Sequence, residues 1–202
     1  MAVIPMIHPM TVDTVQQYAV NAGLIAVDLD LSKATDAATL MAAVKAAPDK
    51  WLGATSGTTN ISEGRKAWNP SHNARRIPLK GDQRFDSAQP SIKAKLVQMN
   101  AHNIALMSGT AEVTTTGNVT SIKPKAVYAL ESYKTVHWLT NLGAEGVILV
   151  MLKNAICVDG INWAIEDKGI ATADVNFLAH ADDASDIEYL PIECKLYKAA
   201  TA

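Results

Sequence analysis

Apolar residues along this chain alternate far more often than they recur at helical spacing. In PSIKAKLVQ, residues 90–98, Ile92, Ala94 and Leu96 alternate with Lys93 and Lys95. That is the period-2 signature of a strand with one buried face. LIAVDLDL, residues 24–31, ends in the same way, with Val27, Leu29 and Leu31 set against Asp28 and Asp30. It predicts a strand through Leu31. Just before it, Tyr18 and Asn21-Ala22-Gly23 read as a strand or short helix closed by a turn. WLGATSGTTNISEG, residues 51–64, reads as extended. GVILVMLKNA, residues 146–155, begins almost wholly apolar and predicts a strand covered on both faces. Residues 133–140, 169–181 and 187–197 are three further strands between turn clusters, and residues 111–124 predict a hairpin turning at Gly117-Asn118.

Two segments carry helical signals. Thr35 is read as the cap of DAATLMAAVKAA, with Leu40, Met41 and Val44 on one stripe and Pro48 as the stop. Asn100 is read as the cap of a short helix ended by Gly109. The pattern as a whole predicts a mainly β (α+β) chain: a β-sandwich or partial barrel with one or two short flanking helices.

One stretch fits neither period. Residues 64–84, GRKAWNPSHNARRIPLKGDQR, are polar and basic. A structureless loop of that length is uncommon in a compact domain unless it is functional or disordered. Trp68 within it has two readings: a lid folded back on its own sandwich, or an anchor on an adjacent subunit, where Trp and Arg most often dominate binding.

Composition narrows the function classes. At 202 residues the chain fits a single domain, and 49% hydrophobic against 19% charged residues makes it globular. A net charge of -2 excludes a generally basic nucleic-acid binder. MAVIPMIHPM lacks the basic start of a signal peptide, and no apolar run approaches the ~20 residues of a membrane span. The expectation is a protein made in the cytoplasm that contacts no membrane. Cys157 and Cys194 form no CxxC and are read as buried free thiols.

No nucleotide, zinc-protease or nucleophile-elbow motif is present, and the five histidines fall on five different elements. Asp28, Asp30 and Ser32 resemble the start of a calcium loop, but Lys33 and Thr39 stand where Gly and Glu are needed. Asp182, Asp183 and Asp186 are read as a solvated turn. Catalytic, cofactor and metal sites are therefore not expected, nor is enzymatic activity.

Charge is instead segregated. Residues 45–95 hold ten basic and four acidic side chains, and residues 159–193 hold one basic and nine acidic. Opposed patches of this kind are complementary to a second copy. If they lie on different faces, the contact is head-to-tail and propagates into rings or filaments. If they meet within one subunit they cancel.

In order along the chain, WLGATSGTT, the basic arm ending IPLKGDQR, PSIKAKLVQMNAHNIAL, LKNAICVDG, DKGIATADVNFLAHADD and YLPIECKLY resemble segments of the tail tube (major tail) proteins of long-tailed bacteriophages and prophages. The first 23 residues match least. The resemblance implies a structural virion protein whose hexameric rings stack into a hollow tail tube through which DNA passes without specific binding. It implies a tape measure protein inside the tube and terminator and tip proteins at its ends. It also implies a long loop reaching the next ring. On that reading the self-association loop offers Arg65, Lys66, Trp68, Arg75, Arg76, Lys80 and Arg84. The acidic complement is Asp174, Asp182, Asp183, Asp186 and Glu188. A lumen that passes DNA should be neutral or acidic, with Lys93 and Lys95 facing outward or paired. Two alternatives stay open: the inner tube of a contractile tail or tube-like bacteriocin, and a ligand-binding β-barrel or an enzyme with a spatially assembled site.

Overall fold

The computed structural model describes residues 19–68, 80, 82–142, 145–165, 167, 171–182 and 189–199. Strand β1 (Ala19–Val27) pairs on one side with β2 (Trp51–Ser62) and on the other with β8 (Lys134–Leu142). β2 pairs with β5 (Ser91–Leu96), and β5 with β11 (Thr172–Ala179). β8 pairs with β9 (Gly146–Cys157), and β9 pairs with β11. Six antiparallel strands therefore form a closed barrel, β1-β2-β5-β11-β9-β8. Two strands lie outside it: β12 (Ile192–Lys198) on β9, and the short β10 (Trp163–Ala164) on β11.

The closure depends on a change of partner along β9. Its first half, Gly146–Leu152, pairs with β12, and Ala155–Cys157 pair with β11. At the handover, Lys134 of β8 opposes Ala155 while Val136 opposes Leu152, so β9 carries one extra residue. Asn154 takes up that bulge in the left-handed region, at φ +48°. The extra residue also resets which side chains face inward. Val150 and Leu152 point into the barrel before it, and Ala155 and Cys157 after it.

The interior is filled by side chains, as small barrels require. Ile25, Leu52, Ile92, Leu96, Val136, Leu152 and Phe177 are all buried in one cluster. Each is worth about 1.5–3 kcal/mol of transfer free energy. Helix α2 (Ala101–Met107) adds Met107 to the same cluster. Asn100 caps it as expected, accepting from Asn103 N at 2.8 Å, and Gly109 at φ +72° ends it. A second cluster lies outside the barrel. There α1 (Ala37–Ala46) lays Leu40 and Val44 over Ala26, Leu139 and Leu149. β9 is thus buried on both faces, as its sequence predicts.

Several expectations need correction. The Leu24–Leu31 alternation does not continue as strand beyond Val27. Asp28 turns to φ +47°, and its N–H donates to Thr135 O at 2.8 Å while its carboxylate accepts from Thr135 N at 2.9 Å. Leu29 is apolar because it packs with α1, not because it alternates in a sheet. Asn21-Ala22-Gly23 is no terminating turn; it lies inside β1, where the pairing with β8 shifts register between Val20 and Leu24. Asp36, not Thr35, caps α1: its carboxylate accepts from Thr39 N at 2.8 Å, and Thr39 Oγ1 accepts from Asp36 N at 3.0 Å. Cys157 is buried as expected, and burial raises its thiol pKa, but Cys194 is exposed.

Two small sheets stand apart from the barrel. β6 (Ala111–Thr116) and β7 (Val119–Pro124) form the predicted hairpin about Gly117-Asn118. β3 (Lys66–Trp68) pairs with β4 (Arg84–Ser87), so the basic stretch is not loop throughout: its two ends form a ribbon.

Candidate functional site

The ribbon starts at a tight base. Gly64 N donates to Ser62 Oγ at 3.0 Å, and Gly64 O accepts from Gln89 N at 3.4 Å. Gly64 lies at φ +59°, and a Cβ there would run into the Gln89 carbonyl, so only glycine fits. Beyond it Trp68 faces Arg84 and Ala67 faces Phe85. The two aromatics are exposed, Trp68 at 51% and Phe85 at 59%. Trp68 belongs to neither hydrophobic cluster. Arg65 pairs with Glu63 beside the base. Lys66, Lys80 and Arg84 are exposed, while Arg75 and Arg76 lie outside the described residues.

The acidic complement is dispersed. Asp174 sits on the outer face of β11, with Lys95 Nζ 3.9 Å from its carboxylate across the β5 ladder. Asp182 lines a cleft near the start of β12. Asp183, Asp186 and Glu188 lie outside the described residues. The structure therefore groups Arg65, Lys66, Trp68 and Arg84 on one ribbon, and does not bring Asp174 and Asp182 into one patch with them.

The cleft was not legible in sequence. It encloses about 940 Å³ on the face of β8, β9 and β12. Its floor carries His137, Met151, Lys195 and Tyr197, and its walls are the Asp28–Ser32 turn on one side and Ala181, Asp182 and Tyr189–Pro191 on the other. His137 and Met151 face each other across the β8–β9 ladder, and Met151 in turn faces Glu193 on β12. The outward residues of three strands converge here, and no local motif marks that convergence. Their one sequence signal is the polar alternation Glu193, Lys195, Tyr197.

Electrostatics in the cleft are mixed. His137 is 2% exposed, and its Nδ1 has no hydrogen-bond partner among the described residues. Burial pulls its pKa down to about 4, Asp28 opposes that shift and Lys195 adds to it, so the ring is neutral at pH 7. The Asp30 carboxylate accepts from Ser32 N at 3.0 Å, and its hydrogen bonds to Ser32 hold its pKa below the usual range. Lys134 lies 3.6 Å from Asp28, and Lys195 lies 3.1 Å from Glu193. His180 packs edge-on against Tyr133 and has its Nδ1 3.3 Å from Asn154 O. Among the described residues no three His, Cys, Asp or Glu side chains are placed to share a metal ion. The cleft is suited to holding a partly apolar group beside polar contacts.

Sequence comparison adds no relative: the chain matches no protein-family model and no curated protein. Among the described residues no helix is long and apolar enough to cross a membrane.

Proposed function

We propose that this chain is a self-assembling structural subunit of a tail tube of the phage type, forming hexameric rings that stack around a channel for DNA. The observation that carries this reading is the pair of separate ribbons, β3–β4 and β6–β7, neither hydrogen-bonded to another strand among the described residues, the second lying against α2. A two-stranded hairpin with little packed against it is marginal in water. Yet these two hold Trp68, Phe85, Val113 and Val119 out to solvent. Such segments gain burial from a neighbouring subunit.

The outer strand supports the same reading. β12 pairs only with β9 among the described strands, and Leu196 on it is exposed. An unprotected edge of this kind accepts a strand from another chain. The sheet face of β2, β5 and β11 carries Lys93 and Lys95, with Asp174 opposite Lys95. On the tube reading that face turns away from the lumen or is neutralised by such pairs, since free cations would hold DNA by counterion release. The number of subunits per ring, the tape measure, terminator and tip partners, and a place in the virion rest on the sequence resemblance alone.

Electron micrographs and light scattering of concentrated protein at low salt test this reading. Rings or tubes are the expected result. A monomer at every concentration overturns it and favours a ligand-binding barrel, the second reading, for which the 940 Å³ cleft is the supporting observation. A sheath around the native particle would move the assignment to a contractile tail.

A further inference from the structure

We infer that the cleft between the Asp28–Ser32 turn and Tyr189–Pro191 is the seat for Trp68 of a second copy of this chain, delivered by that copy's β3–β4 ribbon. The inference rests on the self-assembly reading and names the contact through which it operates.

The chemistry of the two sides matches. The cleft combines apolar walls, from Leu29, Leu31, Leu190 and Pro191, with the ring of His137, whose occluded Nδ1 has no hydrogen-bond partner among the described residues. A buried polar atom without a partner costs free energy until something bonds to it. A neutral imidazole has one nitrogen that accepts. An indole is the complement: a large apolar body with a single N–H that only donates. Trp68 presents that body 51% exposed on β3 of the ribbon, paired with Arg84.

The neighbours of Trp68 fit as well. Arg84 lies directly across the ribbon from it. When the indole enters the cleft, the guanidinium reaches the rim, where Asp28, Asp30 and Asp182 are placed. Lys195 is held by Glu193 at 3.1 Å, Lys134 already lies 3.6 Å from Asp28, and Lys153 lines the cleft as a further positive charge. His137 Nδ1 is occluded in the isolated subunit, so a side chain has to turn to admit the donor. Met151 faces His137 across the ladder and is the flexible one.

The occupant is a second copy because the same chain's Trp68 does not line the cleft. Ala179 N donates to Pro90 O at 2.9 Å and His180 N to Asn154 O at 3.2 Å, which places ribbon base and cleft at one end of the barrel. A ribbon projecting there meets the cleft of a copy set beside it.

Cross-linking between full chains tests the contact. One chain carries Ser32→Cys and the other Lys66→Cys, each with Cys194→Ser so that the exposed native thiol is silent. Both new positions are exposed, so folding is retained. Under mild oxidation of assembled protein, the two chains, tagged to differ in size, are expected to join by a disulfide. A Glu112→Cys chain in place of Ser32→Cys should not join, and adding Trp68→Ala should cut the yield about tenfold, the loss typical of an interface anchor. Assemblies that form without the cross-link, or that give it undiminished after Trp68→Ala, overturn the inference and leave the assembly reading standing. A disulfide that forms only within a dilute chain carrying both cysteines also overturns it. Failure of the wild-type chain to assemble overturns both.

Discussion

Gly23 lies directly beneath the indole of Trp138, so that a Cβ at Gly23 would overlap Nε1 and Cε2 of the ring. The contact explains why a glycine sits in the middle of β1, where the ladder to β8 changes register. Gly23 O also accepts from the buried Thr55 Oγ1 at 3.0 Å, which fixes the backbone against movement. Gly23→Ala is expected to lower stability by about 1–3 kcal/mol, the usual cost of overpacking. In a Trp138→Leu background the same change should cost clearly less, because the clash is gone. Denaturant titration of the four proteins in that cycle measures the coupling.

His137 predicts a pH dependence. Its folded pKa, about 4, lies below its ordinary 6.5. The folded state therefore binds this proton less readily than the unfolded state, and stability falls with acidification between about pH 6.5 and pH 4. Over that whole window the loss from this one group is at most about 3 kcal/mol. Above pH 6.5 its contribution is fully present. The unfolding free energy followed from pH 7.5 to 4 should slope downward. In His137→Gln that slope should flatten; an unchanged slope would assign it to other groups.

Asn103 ties α2 to the barrel. It is fully buried, and its Nδ2 donates to Leu52 O at 2.7 Å and to Gln98 O at 2.9 Å. Asn103→Leu removes both donors and is expected to cost about 2–3 kcal/mol. Asn103→Asp should cost more, since a carboxylate would then face two carbonyl oxygens. Thermal melts of the two variants set that order.

Deletion of residues 69–79, joining Trp68 to Lys80, should leave a folded chain with its melting temperature little changed, because all six strands of the barrel lie outside that segment. On the tube reading the shortened protein forms no long tubes. Arg75→Glu together with Arg76→Glu should weaken stacking most at low salt, where screening is least. Full-length tubes from the deletion variant would make the arm dispensable for assembly.

Much of the barrel could be read directly from residue order. Ile92, Ala94 and Leu96 against Lys93 and Lys95 identified β5, because a half-buried strand writes its two faces alternately. The apolar run from Val147 identified β9, because α1 covers its outer face. The turn at Gly117-Asn118 declared its hairpin by chemistry alone. What was hidden depended on distant partners. Asp28 ends β1 through bonds to Thr135, 107 residues away, and nothing near Asp28 signals that. The β3–β4 ribbon is three or four residues a side, too short for any period to show. The cleft draws on outward positions of three strands and two connections, so no single stretch could have announced it.

β9 also carries one of the barrel's two shortest seams, the other being the three pairs between β1 and β2. Its ladder with β8 holds eight residue pairs, whereas the join with β11 that completes the cylinder holds three: Phe177 with Cys157, Leu178 with Ile156 and Ala179 with Ala155. Pulled apart along that side, the cylinder opens like a zip fastened by its last few teeth. β12 would stay attached to the long half of β9 while β11 and β5 swing away. Any segment that bridged that short seam would hold the cylinder shut.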